Sequence, residues 1–168
     1  MVIPTHLLAE QDNFLAAVQN EDELGAVVRS HIYVESALVF LLEHLVVDKK
    51  YLGKLDLDYS QRVDLAIALG LKPEHAAPLH ALGTIRNAFA HRLDAKLTKD
   101  RVDALYKQFS ASDKEVLNAA FKRTSSQVPV AGAKSLRALT AKDQFALMAV
   151  ALRSLILVAI GELPSAQP

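Results

Sequence analysis

The sequence predicts an all-α protein, and three observations lead there. Apolar residues recur at intervals of three and four along most of the 168 residues, and clean period-two alternation is missing. Six Gly and six Pro stand against an abundance of Ala and Leu. Only one polar, Pro- and Gly-containing stretch, KRTSSQVPVAGAKS, reads as an extended loop. The length suits one domain, so residues 1–168 are expected to form a single bundle of six to seven helices.

A first helix is expected over 5–19, opening at Thr5, with Leu8, Phe14, Leu15 and Val18 on or near its buried side. The second spans 22–47 on a stripe of Leu24, Val28, His31, Glu35, Leu38, Leu42 and Leu45, in alternating steps of four and three. Its second half, ALVFLLEHLVV, is apolar almost all round, as in a helix covered by several neighbours. DKKYLGKLDLD follows as a charged connector. Asp58 or Ser60 then caps a helix carrying Val63, Ala66, Ile67 and Leu69, which Gly70 ends. Pro73 suits the first turn of a helix reaching about residue 92, and Pro78 marks either a kink or a later start. Two shorter helices are expected over 99–109 and 113–121, with Thr98 and Ser112 as caps. The last covers 140–163. Its apolar length raises the question of a membrane span, but Arg153 near the centre costs about 2.5–3.5 kcal/mol in a bilayer. A core or dimer-interface helix is the expectation.

Composition narrows the function. Nineteen Lys and Arg balance nineteen Asp and Glu, which argues against a protein that grips nucleic acid with its whole surface and leaves only a local patch. No Cys is present, so a disulfide framework, a Cys-liganded zinc and a thiol nucleophile are excluded. The start, MVIPTHLLAEQDN, lacks a basic segment followed by an apolar run, so a cytoplasmic protein is expected. There is no glycine-rich phosphate loop, no HExxH and no GxSxG. His75 and His80 lack metal-site spacing, and no metal or cofactor is expected.

The residues that do not suit a plain core are polar. His31 and Glu35 stand four apart on an aliphatic stripe, where a carboxylate has to be paired, hydrogen-bonded or protonated. They could bridge to another helix, anchor a functional Arg or His, or point at a dimer partner. Arg86 flanks the core face of its helix (Leu82, Ile85, Phe89, Leu93), so Glu35 is expected close to Arg86. His80, Thr84, Asn87 and His91 form a second stripe beside Gly83. Arg86 and His91 diverge by about 140° on an ideal helix, so they would converge through Arg reach, a frayed helix end, or a second copy of the chain. For His91 the plainer reading is a favourable charge at a helix C-terminus.

Arg86-Asn87-Ala88-Phe89-Ala90-His91 matches the Arg-x4-6-His signature of the HEPN superfamily, including its polar residue after the Arg. SHIYVESALVFLLEHL, YSQRVDLAIALGL and LGTIRNAFAH resemble, in order and spacing, the helical proteins grouped with the mannitol operon repressor family (MltR-like). The resemblance covers about residues 24–95. For catalytic HEPN proteins it implies a metal-independent, toxin-like ribonuclease in which two antiparallel protomers join their motifs in one cleft. Carried over by position, His91 would handle a proton at the 2′-hydroxyl or leaving oxygen, Arg86 would stabilise phosphorane charge, and Asn87 would orient them. His31 and Glu35 would support the site. The MltR-like resemblance implies instead a non-catalytic regulator acting through protein contacts, since no basic recognition helix is evident. The expected partners are a second copy of the chain, RNA, and an antitoxin or regulatory protein. The expected dimer face carries His80, Gly83 and Thr84 with Asn87 and His91, the alternative being the apolar helix at 140–163.

Overall fold

The computed structural model describes residues 2–127 and 135–163, and every regular element among them is helical. In order these are α1 (Thr5–Gln19), α2 (Glu23–Leu45), α3 (Lys49–Leu52), α4 (Tyr59–Ala68), α5 (Ala76–His91), α6 (Lys99–Gln108), α7 (Ala111–Gln127) and α8 (Ala141–Glu162). Short 3-10 turns lie at Pro73–His75 and Leu136–Ala138. The all-α class is as expected, but the described residues hold more helices than six or seven. The charged connector closes one turn of its own, α3, whose start is capped by the Asp48 side chain accepting from the Lys50 N–H.

Local chemistry explains most boundaries. Asp22, Asp58, Thr98 and Thr140 each accept a backbone N–H at the start of a helix. Pro73 belongs to the 3-10 turn, and α5 begins later, with Pro78 in its first turn. Ser110 rather than Ser112 caps α7, its Oγ accepting from the Asp113 N–H at 3.1 Å. α7 also runs past residue 121 into the expected loop, of which 128–134 lie outside the described residues.

α8 packs along α2, with α1 against both. α4 and α5 pack on α2 and on each other, while α6 lies against α5 and α8, and α7 against α8. The buried face of α2 is Ala26, Val27, Ser30, His31, Val34, Ala37, Leu38, Leu41 and Leu42, so the expected stripe is rotated in its first half. Leu24 and Val28 are exposed. Small side chains at 26, 30 and 37 let neighbouring helices approach closely, and a pattern weighted by bulky residues passes over them. In α1 the core takes Leu7, Phe14 and Val18, and Leu8 faces outward. Leu93 lies beyond the end of α5 and is fully exposed.

By length and composition alone α2 and α8 could cross a bilayer. Most of α8 is covered within the chain, however, and Arg153 at its centre is completely buried. The apolar surface of α8, the alternative dimer face, is thus largely spent on this chain's own core. Arg153 Nε donates to the Tyr33 carbonyl (3.1 Å). Nη1 donates to the Leu7 carbonyl (3.0 Å) and Gln11 Oε1 (2.8 Å), and Nη2 to Glu10 Oε2 (2.7 Å). Burial pushes its pKa down and Glu10 opposes that shift. Arg153→Met should leave two helix carbonyls without this donor, at about 1–3 kcal/mol each, whereas Glu10→Gln should cost under about 1 kcal/mol because Glu10 is 42% exposed. Urea midpoints of the two variants check this difference.

Candidate functional site

A cleft of about 420 Å³ opens where α2, α4 and α5 meet. Its shape begins with the start of α4. Asp58 Oδ1 accepts from the Gln61 N–H (2.8 Å) while the Asp58 N–H donates to Gln61 Oε1 (2.9 Å), a reciprocal cap that fixes the first turn. Tyr59, the first helical residue, is thereby aimed at α5. Its hydroxyl donates to the Leu79 carbonyl (3.1 Å), and its ring lies 4.3 Å, centroid to centroid, from the His31 ring. The same ring rests on Gly83, where an added Cβ would stand 2.8 Å from two ring carbons. Gly83 is therefore buried and its slimness admits Tyr59 of its own chain, so it offers no free surface to a second copy. Burial, and secondarily the Glu35 charge, push the Tyr59 pKa far up, so it remains a neutral phenol.

Glu35 and Arg86 both line the cleft, but the ion partner of Glu35 is Arg62 from α4. The Glu35 carboxylate also faces His31 Nδ1 at 3.5 Å. This departs from the expected Glu35–Arg86 pair: Arg62 approaches the carboxylate from the facing helix. Arg86 is exposed at the cleft rim and donates through Nη1 to Asn87 Oδ1 (3.0 Å). Among the described residues no carboxylate pairs with it.

His80, expected at an interface, is half-buried in the cleft wall. Its Nε2 lies 2.8 Å from Asp64 Oδ1 and its Nδ1 3.2 Å from Ser60 Oγ. Asp64 and Ser60 thus hold the ring from both of its nitrogens and fix its orientation in the cleft wall. Thr84 also lines the cleft and bonds back to the His80 carbonyl (3.0 Å). His91 is the exception. It is exposed at the last turn of α5 and does not line the cleft.

Seven of the eight singled-out residues therefore share one cavity: His31, Glu35, His80, Gly83, Thr84, Arg86 and Asn87. Sequence reasoning missed Tyr59, Ser60, Arg62 and Asp64 as site residues. The available signal was the pair Ser60 and Asp64 four apart on the polar face of α4, a spacing too common to single out by itself. Chemically the cleft presents a guanidinium free of carboxylates, an amide and an oriented imidazole, a set suited to an anionic oxygen such as a phosphate. No protein-family model, curated protein or solved structure matches the chain. The fold and site together define an all-α protein with a polar, arginine-rimmed cleft.

The environment of His31 has a consequence for pH. Burial lowers its pKa, Glu35 partly offsets this, and Arg86 adds to the lowering. Folded His31 thus stays neutral where the unfolded side chain, near 6.5, takes up a proton. Its contribution is complete above about pH 6.5 and is lost as pH falls toward the lower folded pKa. Denaturation midpoints at pH 7.5 and 5.5 should show this loss, reduced in His31→Asn. Gly83→Ala should also destabilise. The ring it strikes is tethered by the Tyr59 hydroxyl, and overpacking of about 1–3 kcal/mol outweighs a helix-propensity gain of about 1 kcal/mol. Thermal melting checks the sign.

Proposed function

We propose that the protein is a metal-independent, RNA-cleaving homodimer of the HEPN type, located in the cytoplasm and toxin-like in action. The observation that carries this reading is Arg86, exposed on the rim of a cleft and bonded to Asn87 rather than to an acid. Such a guanidinium can hold a phosphodiester and stabilise the charge that builds on its oxygens. The 2′-oxygen of the substrate attacks phosphorus and gives its proton to an imidazole. The bond to the 5′-oxygen then breaks, and an imidazolium protonates that leaving group. The products are a 2′,3′-cyclic phosphate and a free 5′-hydroxyl. His91 is the imidazole that the resemblance assigns, and Asn87 orients the arginine.

Because His91 stands outside the cleft of its own chain, a second copy would have to bring it to the reaction. The same observation favours the alternative, a non-catalytic MltR-like regulator working through protein contacts with a regulatory partner or antitoxin. A zero net charge also sits more comfortably with that alternative.

Incubation of the pure protein with total RNA, with and without EDTA, separates them. The ribonuclease reading predicts fragments ending in cyclic phosphate, and a rate lowered about 10²–10⁴-fold in His91→Ala. Arg86→Ala should be impaired as well, and light scattering should give a dimer. Wild-type protein that leaves RNA intact under varied conditions selects the regulator.

A further inference from the structure

At the end of α5 remote from Arg86, three ligand-type side chains meet. Glu74 and His75 stand in the 3-10 turn that leads into α5, and Asp113 stands in the first turn of α7. Their ligand atoms all lie within 4.8 Å of one another. His75 and Asp113 are only 7% and 5% exposed, and His75 Nδ1 faces Asp113 Oδ2 at 3.3 Å. Neither atom makes a hydrogen bond. Native interiors rarely leave two polar atoms unsatisfied face to face, and an unseen ion is one reason they do.

The spacing fits that reason. Ligands held tetrahedrally at about 2.0–2.2 Å from a metal stand about 3.3–3.6 Å apart, which is the His75–Asp113 separation. Glu74 is exposed, so its side chain can swing the remaining distance and solvent can supply a fourth ligand. Two carboxylates and a neutral imidazole carry two negative charges, which a divalent cation cancels. Among the described residues no Lys or Arg pairs with Glu74 or Asp113, and the one cation that could face Asp113 is a protonated His75, which a metal on Nδ1 would replace. Lys114, next in sequence, instead reaches the Lys107 carbonyl and the Tyr106 ring. The imidazole selects against Mg²⁺ and Ca²⁺, and the small, four-coordinate arrangement suits Zn²⁺.

We propose that Glu74, His75 and Asp113 bind a divalent transition-metal cation, with Zn²⁺ the best fit, that clamps the start of α5 to the start of α7. The ion has a structural role, separate from the cleft and its metal-independent chemistry. Spacing in the sequence hides the site, because Asp113 comes from a helix far along the chain.

The full chain, stripped with a chelator and dialysed, is titrated calorimetrically with ZnCl₂ and with MgCl₂. Saturable binding of about one Zn²⁺ per chain is expected, with a raised melting temperature and no response to Mg²⁺. Glu74→Gln is the deciding variant, since Glu74 is exposed and its loss spares the core. Its affinity should fall about tenfold or more with the helical circular-dichroism spectrum unchanged. Asp113→Asn should lose binding altogether if it folds. Folded wild-type protein that takes up no Zn²⁺ overturns the proposal. So does binding of equal affinity and stoichiometry in Glu74→Gln, which would place the ion on other side chains.

Discussion

A buried arginine sets the arrangement on which the rest depends. Arg153 sits in the middle of the most enclosed helix and delivers its donors to two helix carbonyls and two side chains of α1 and α2. A guanidinium out of water is tolerable only when its donors are met, so α1, α2 and α8 have little freedom to slide or rotate against one another. Tyr33 takes part in this lock, stacked on Phe14 at 4.5 Å and lying beneath the Arg153 guanidinium. On a helix, positions two before and two after Tyr33 lie about 160° from it. Turning Tyr33 toward α1 and α8 therefore turns His31 and Glu35 toward α4 and α5, where the cleft forms.

The cleft is then a matter of charge placement on a neutral chain. Glu35 is matched by Arg62, His31 is held neutral by burial, and Tyr59 is a neutral wedge. Asp64 is committed to His80. Arg86 is left facing solvent with only an amide beside it. Asp58, the second carboxylate of the lining, is spent on capping α4, so a cleft whose acids and cations balance still leaves one guanidinium without a carboxylate partner, which is what the proposed recognition of a phosphodiester requires.

Much of this was legible in the sequence, and the parts that were not share a cause. Helical period, caps at Asp58 and Thr98, and the odd polar pair His31 and Glu35 are local signals, and local signals survive into the fold. The partner of Glu35 was not local. Arg62 and Arg86 are both cations on helices facing α2, and only the packing angle of α4 selects between them. The sequence places Gly83 on a dimer face because its slimness is visible there, whereas the Tyr59 ring that fills the space is not. The helical reach of α7 past residue 121 went unseen because Ser and Thr there resemble a loop in composition.

Phosphate recognition in the cleft is the central proposal, and binding without turnover tests it most directly. An amide NMR titration with a short RNA carrying 2′-O-methyl sugars, which lack the attacking hydroxyl, reads where the nucleic acid lies. The account predicts shifts concentrated at Tyr59, Gly83, Thr84, Arg86 and Asn87, weakened in Arg86→Ala. Spectra that do not change, or shifts confined to α6 and α7, would contradict it.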